Sequence, residues 1–241
     1  MKSLSTKLML FISLVLLVVC GSIGIIGYNS ASKSVVSEVN KSLEQLAKEG
    51  VMIVKARMDL QWNSLEVLAS NSSIRNPDIP PTDKLRLLTE EAKRAGHIRM
   101  SIADLKGNAI ANDGSVSNVK DRPYFKAALA GERGVSDPII SKVDGSVVVI
   151  FSVPIKNSGK VIGVLQAIRD GNALSDITDQ LTFGKAGSAF MITSNGATIA
   201  HQDRELVKSL NNDLENAKED SQLADLAALE KKMVAGESGI G

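Results

Sequence analysis

The hydrophobic pattern opens with an apolar run. After the short polar tail of residues 1–7, which carries Lys2 and Lys7, the stretch from Leu8 to Ser32 has no charged residue. At 1.5 Å per residue, a helix of roughly 25 residues extends about 37 Å, enough to cross a bilayer with some tilt. The run continues to Ile26 without a small-residue cleavage site. Val19 also stands where a lipid-modified Cys20 would need a small neighbour. An uncleaved transmembrane anchor over 8–32 is therefore expected rather than a signal peptide or lipoprotein. The lysines of the tail predict that residues 1–7 stay cytoplasmic and that Lys33 faces outward. Gly21, Gly24 and Gly27 recur at three-residue spacing, which permits close helix packing and is also ordinary in a membrane helix.

From Lys33 the pattern turns amphipathic. Val39, Leu43, Leu46, Ile53, Val54, Leu60, Leu65 and Leu68 recur mostly at intervals of three and four, with Gly50 on the same track. This predicts a long helix over 33–70. Its stripe packs either on its own domain or against a second copy, and Trp62 reads as a core residue. Pro77, Pro80 and Pro81 then impose a turn region. Thr82-Asp83 can cap a helix that runs to about Ala95 and ends at Gly96.

Beyond it the period shortens to two. His97 to Ala103 and Ala109 to Asn112 read as strands around a turn at Asp104–Asn108. Asp121-Arg122-Pro123 is a charged turn before a short helix, Tyr124 to Ala130, closed by Gly131. Three strands are predicted next, Gly134–Ser141, Ser146–Ile155 and Val161–Ile168. Asp144-Gly145 separates the first pair and Asn157-Ser158-Gly159 the second. A short helix followed by an antiparallel meander can hold a small molecule against one sheet face. Gly171 to Leu181 reads as a polar helix. The strand–turn–strand pattern recurs at Ala189 to Ala200 around Ser194-Asn195-Gly196, followed by Asp203–Val207 and an amphipathic helix from Asp220 to Val234. The fold class is therefore α+β, with two antiparallel-sheet modules in tandem. No central strands of the second sheet precede Gly241, so that module is expected to be incomplete with an unpaired edge. Against the family resemblance described below, which implies a complete second sheet, the chain reads as a fragment or a truncated gene product.

Composition narrows the function. The net charge of +1 and 3% aromatic content give no basic or stacking footprint for nucleic acid. The single cysteine, Cys20, lies in the anchor, so no intrachain disulfide or thiolate metal site is expected. No cofactor is implied. There is no Walker loop, nucleophile elbow or zinc pattern. His201 and Asp203 alone make a poor metal site and read as a hydrogen-bonded turn, and His97 reads as structural. Arg122 is the best candidate for ligand contact, because a guanidinium offers a planar fork of donors matched to a carboxylate. Tyr124 and Phe125 can wall that pocket. The alternative is that Asp121 and Arg122 only fix the turn. Asp104, Asp137 and Asp144 are better read as turn residues.

The run Asp121-Arg122-Pro123-Tyr124-Phe125-Lys126-Ala127-Ala128-Leu129 carries a resemblance, together with Ser136-Asp137-Pro138, Asp144-Gly145 with its following valines, and Gly159 to Leu165. In this order they resemble the membrane-distal half of a double Cache domain, the extracytoplasmic sensor of many bacterial chemoreceptors. Phe183 to Phe190 and Gly196 to His201 are similar to the start of the membrane-proximal half. The resemblance implies PAS-like modules at 71–181 and, partially, 182–241. It also implies a homodimer seam on the 33–70 helix, and, in the full-length form, coupling to chemotaxis kinase machinery. In members that bind amino acids, an Arg-x-Trp-Tyr run holds the carboxylate and a later aspartate the ammonium. Here the run is Arg122-Pro123-Tyr124-Phe125, and the nearest later acid is Asp170, two residues beyond the matching place at Ile168. The implied function is the ligand-sensing part of a methyl-accepting chemotaxis protein for a small solute such as an amino or organic acid, not an enzyme. The same sensor can precede a histidine kinase or a cyclic-dinucleotide enzyme. An anchored hydrolase is the alternative from another class.

Overall fold

The computed structural model describes residues 4–141, 143–185 and 187–240. Of the predicted tail, residues 1–3 with Lys2 lie outside the described residues, as does Ala186 of the second motif. The chain divides into two compact units, Met1–Lys48 with Ile240, and Glu49–Gly239.

Helix α1 runs from Leu4 to Ser70. In the first unit its apolar side chains, among them Phe11, Leu14 and Ile25, are exposed. Among the described residues this is the helix long and apolar enough to cross a membrane.

In the second unit, α1 carries Gly50, Val54, Leu65 and Ala69 on its buried side. Gly50 allows a close approach, since a Cβ there would lie 2.6 Å from Leu181 Cδ1. A short α2 (Ser72–Arg75) capped by Asn71 follows, then α3 (Pro81–Ala95). Thr82 and Asp83 do not cap α3. Its N-cap position is Pro80, which makes no side-chain cap bond; Pro81 takes the first helical position, where its missing N–H costs nothing, and the helix ends at Gly96 in the left-handed region.

The strands are β1 (Arg99–Ala103), β2 (Asn108–Ala111) and β3 (Val116–Asn118), then, after helix α4 (Pro123–Leu129), β4 (Gly134–Val135), β5 (Ile139–Ile140), β6 (Val147–Asn157) and β7 (Lys160–Asp170). They form one antiparallel seven-stranded sheet in the order β3-β2-β1-β7-β6-β4, with β5 also on β6. The predicted strand Gly134–Ser141 is split in two. Pro138 has no N–H for the ladder, and Ser136 instead trades bonds with Ile150 through its backbone and hydroxyl.

Alternation along the strands sorts side chains onto two faces. Met100, Val149, Phe151, Val153, Leu165 and Ala167 pack with Leu65, Ala69, Ile74, Leu88 and Ala92 from the helices. Ala103, Val148, Ile150, Val164 and Ile168 face the other way, with Tyr124, Phe125 and Ala128 of α4. Trp62 ties α1 to this sheet. Its Nε1 donates to the Gly134 carbonyl at 3.0 Å, and its ring meets Phe151 edge-on at 5.6 Å.

The predicted polar helix over 171–181 is a 3-10 turn, Gly171–Leu174, followed by α5 (Ser175–Thr178). The second module holds a short hairpin of β8 (Met191–Ile192) and β9 (Thr198–Ala200), then α6 (Arg204–Lys208), α7 (Asp213–Asn216) and α8 (Ala224–Val234).

Candidate functional site

The turn before α4 is built so that Arg122 is left unspent. Gly107 sits at φ +86°, and a Cβ there would fall 2.6 Å from Lys120 N, so only glycine lets the two loops meet. Val119 N–H then bonds the Gly107 carbonyl, and Arg122 N–H bonds Val119. Arg122 is extended, as a residue before proline prefers, and its carbonyl accepts from Phe125 and Lys126 to start the helix. Its half-buried guanidinium has no hydrogen bond or ion pair among the described residues.

That guanidinium lines a cavity between the sheet and α4. The cavity offers about 50 Å³ to the centres of water-sized molecules. Arg99, Ser101, Tyr124, Ser141, Gln166 and Ile168 also contribute to its wall. Burial pushes the Tyr124 phenol up to about 12, against the pull of nearby Arg122, so it stays protonated as a donor at neutral pH. Phe125 is 1% exposed and belongs to the core behind α4 rather than to the cavity wall. Asp170 also lies elsewhere. Its carboxylate is exposed and accepts from Asn172 N at 2.7 Å, capping the 3-10 turn.

Strand polarity supplies groups that the sequence reading did not single out. Arg99 is 6% exposed, yet its charge is met. Nη2 donates to Asp144 and Ser141, both at 2.9 Å, and Nη1 reaches Asp113 at 3.3 Å. Hydrogen bonds from Ser146 first, then from Ser141 and Arg99, hold the Asp144 carboxyl well below the usual carboxylate range. Ser101 and Gln166 are cross-strand partners, and the serine hydroxyl donates to Gln166 Oε1 at 2.9 Å. Gln166 is 2% exposed, and its Nε2 is buried without a partner. An unpaired buried amide costs about 1–3 kcal/mol. The signal was available in the sequence: Gln166 is the one polar residue between Val161 and Ile168.

A second cavity of about 330 Å³ lies on the opposite sheet face, walled by Met58, Phe151, Leu174 and Met191 with Arg57 and Arg169. His201 Nδ1 accepts from Asp203 N at 2.8 Å. Among the described residues no group of three histidine, cysteine or acidic side chains is arranged to hold a metal.

A Cache domain family model matches residues 31–239. The chain belongs to the Cache domain family. Methyl-accepting chemotaxis protein PscA of Pseudomonas syringae is 22% identical over 211 residues, 86% of this chain and 34% of that protein. The Cache chain spans about a third or less of the length of the curated relatives it matches. Two solved structures share its fold. The ligand-binding domain of the Pseudomonas aeruginosa amino acid chemoreceptor PctC, in complex with GABA, has a TM-score of 0.59 at 19% identity, covering 74% of this chain and 82% of that one. That of Pseudomonas fluorescens chemoreceptor CtaA with L-isoleucine has a TM-score of 0.60 at 18% identity, covering 73% and 74%. Both are ligand-binding domains.

Proposed function

We propose that this Cache chain is the extracytoplasmic sensor of a transmembrane chemoreceptor and that the α4 cavity is its ligand site. The observation that carries the site is one cavity whose wall includes both Arg122, which has no partner among the described residues, and Gln166, whose Nε2 is buried and unpaired. The similarity to methyl-accepting chemotaxis proteins supports coupling of the full-length protein to chemotaxis kinases. The amino-acid ligands of the fold neighbours support a small solute rather than a macromolecule. The apolar first part of α1 anchors the chain, with the sensor outside the cell.

Ile53, Leu60 and Val67 recur every seven residues on α1 and are 41%, 61% and 72% exposed. They form the seam of a homodimer, in which Leu60→Cys should give an oxidised dimer. Ligand at about 100 times its dissociation constant adds about 2.7 kcal/mol to stability, visible as a raised melting temperature. Arg122→Ala should abolish that rise and leave the unliganded melting temperature unchanged. Equal ligand stabilisation of wild type and variant would remove Arg122 from the site.

A further inference from the structure

We propose that the ligand is a compact monocarboxylate without an ammonium group, and that Gln166 shares its carboxylate with Arg122. This rests on the reading of the α4 cavity as the ligand site. Three observations carry it.

The first is charge. Among the described residues that line the cavity there is no aspartate or glutamate. Two arginines do line it, and they differ. Arg99 is met by Asp113 and Asp144, whereas Arg122 is unmatched. One uncompensated cation calls for one negative charge on the ligand. An ammonium would enter beside two guanidiniums with no carboxylate on the wall to receive it.

The second is donor geometry. The Ser101 hydroxyl holds Gln166 Oε1, which leaves Nε2 as the free end of the amide. A buried N–H without a partner asks for an acceptor, not for another donor such as an ammonium. The protonated Tyr124 phenol adds a further donor on the same wall. Arg122 and the free end of Gln166 can only donate, which suits an anion.

The third is size. A water requires about 10–15 Å³ of such space, so the 50 Å³ here holds roughly three to five water-sized atoms. Acetate and propionate fit that range. Ala109, Ala111, Val148 and Ile150 offer the apolar surface that a short alkyl tail needs.

The test uses the full chain in detergent micelles or nanodiscs. Calorimetry at pH 7 compares acetate and propionate with alanine, which adds only the ammonium, and with propionamide, which removes the charge. Propionate or acetate should bind, with alanine and propionamide at least about a hundredfold weaker. Gln166→Glu sets a carboxylate against the ligand and should weaken propionate at least about a hundredfold. Ser101→Ala releases the amide and should weaken it about tenfold. Melting temperatures without ligand separate these losses from misfolding, and Gln166→Leu serves as a second variant should the glutamate not fold. If alanine binds as tightly as propionate and Arg122→Ala abolishes it, the monocarboxylate inference fails while the site stands. If none of the four compounds binds, or if binding is indifferent to both Arg122→Ala and Gln166→Glu, the inference and the site reading fail together.

Discussion

The two faces of the sheet are made from the same strands and behave differently. Leu165 faces the helices and Gln166 the cavity, one residue apart on β7. On the helix side, Leu65, Leu88, Met100 and Val153 pack apolar atoms around Leu165, and the larger cavity of that face opens further along, beside Phe151 and Arg169. On the α4 side the wall mixes valine and isoleucine with serine, glutamine and arginine, and some polar groups stay unsatisfied. At the middle of β7, apolar packing and unsatisfied polar groups thus fall on opposite faces. A strand register shift of one residue would exchange them.

The sharpest way to break this contrast is a pair of neighbouring substitutions. Leu165→Ala on the helix-packed face should cost about 2–5 kcal/mol in denaturant unfolding, from lost burial and the cavity left behind. Gln166→Leu should change unliganded stability by under about 1 kcal/mol, because removing an unsatisfied amide offsets the lost serine bond. Similar costs for both would mean that the two faces are equally packed.

A second test uses pH. His97 sits where α3 hands over to β1, with Nδ1 buried and unpartnered. Burial first, and then the charge of Arg169, depress its pKa from 6.5 to about 4. Between those values the unfolded chain binds a proton that the folded chain refuses. The stabilisation is therefore present above pH 6.5 and lost as pH falls towards 4. The full shift would be worth about 3 kcal/mol, and solvent screening at this partly exposed imidazole makes the expected effect smaller. His97→Leu should flatten that part of the stability profile. Parallel profiles for wild type and variant would show the imidazole open to water.

The smallest effects lie at the seam between α1 and the sheet. Trp62→Phe keeps the ring against Phe151 and loses the bond to Gly134, costing about 1 kcal/mol. Arg133 pairs with Glu66 and Asp59 and lies 6.0 Å over the Trp62 ring, yet these charges are well exposed. Arg133→Ala should therefore cost under about 1 kcal/mol, less in high salt. A larger loss would mark the cluster as part of the core.

Much of this was readable in advance because it is local. Asp144-Gly145 and Asn157-Ser158-Gly159 announced their turns, and Arg122-Pro123 announced a helix start that leaves an arginine beside the sheet. What escaped depends on distant pairing. Nothing near Arg99 in the chain shows that β1 lies against β7, or that Asp113 and Asp144 meet one guanidinium. Pro138 breaking a strand was visible, but β3 was not, since Val116–Asn118 is too short for a periodic signal. Phe125 and Asp170 show the limit of reading a site from adjacency. Phe125, three residues after Arg122, packs in the core, and Asp170 accepts from its own turn's backbone.

The central place of β7 also sets an order of events. The hairpin of β6 and β7 joins neighbours in sequence, with ten paired positions from Val148–Asp170 to Asn157–Lys160. β1, although made earlier, finds its partner only across some 65 residues of chain, as Ser101 meets Gln166. Loop closure over that distance is slow beside hairpin formation. A growing chain must therefore hold β1, β2 and α4 in waiting until residue 170 is free, and pulsed hydrogen exchange on refolding should protect the β6–β7 amides before those of β1.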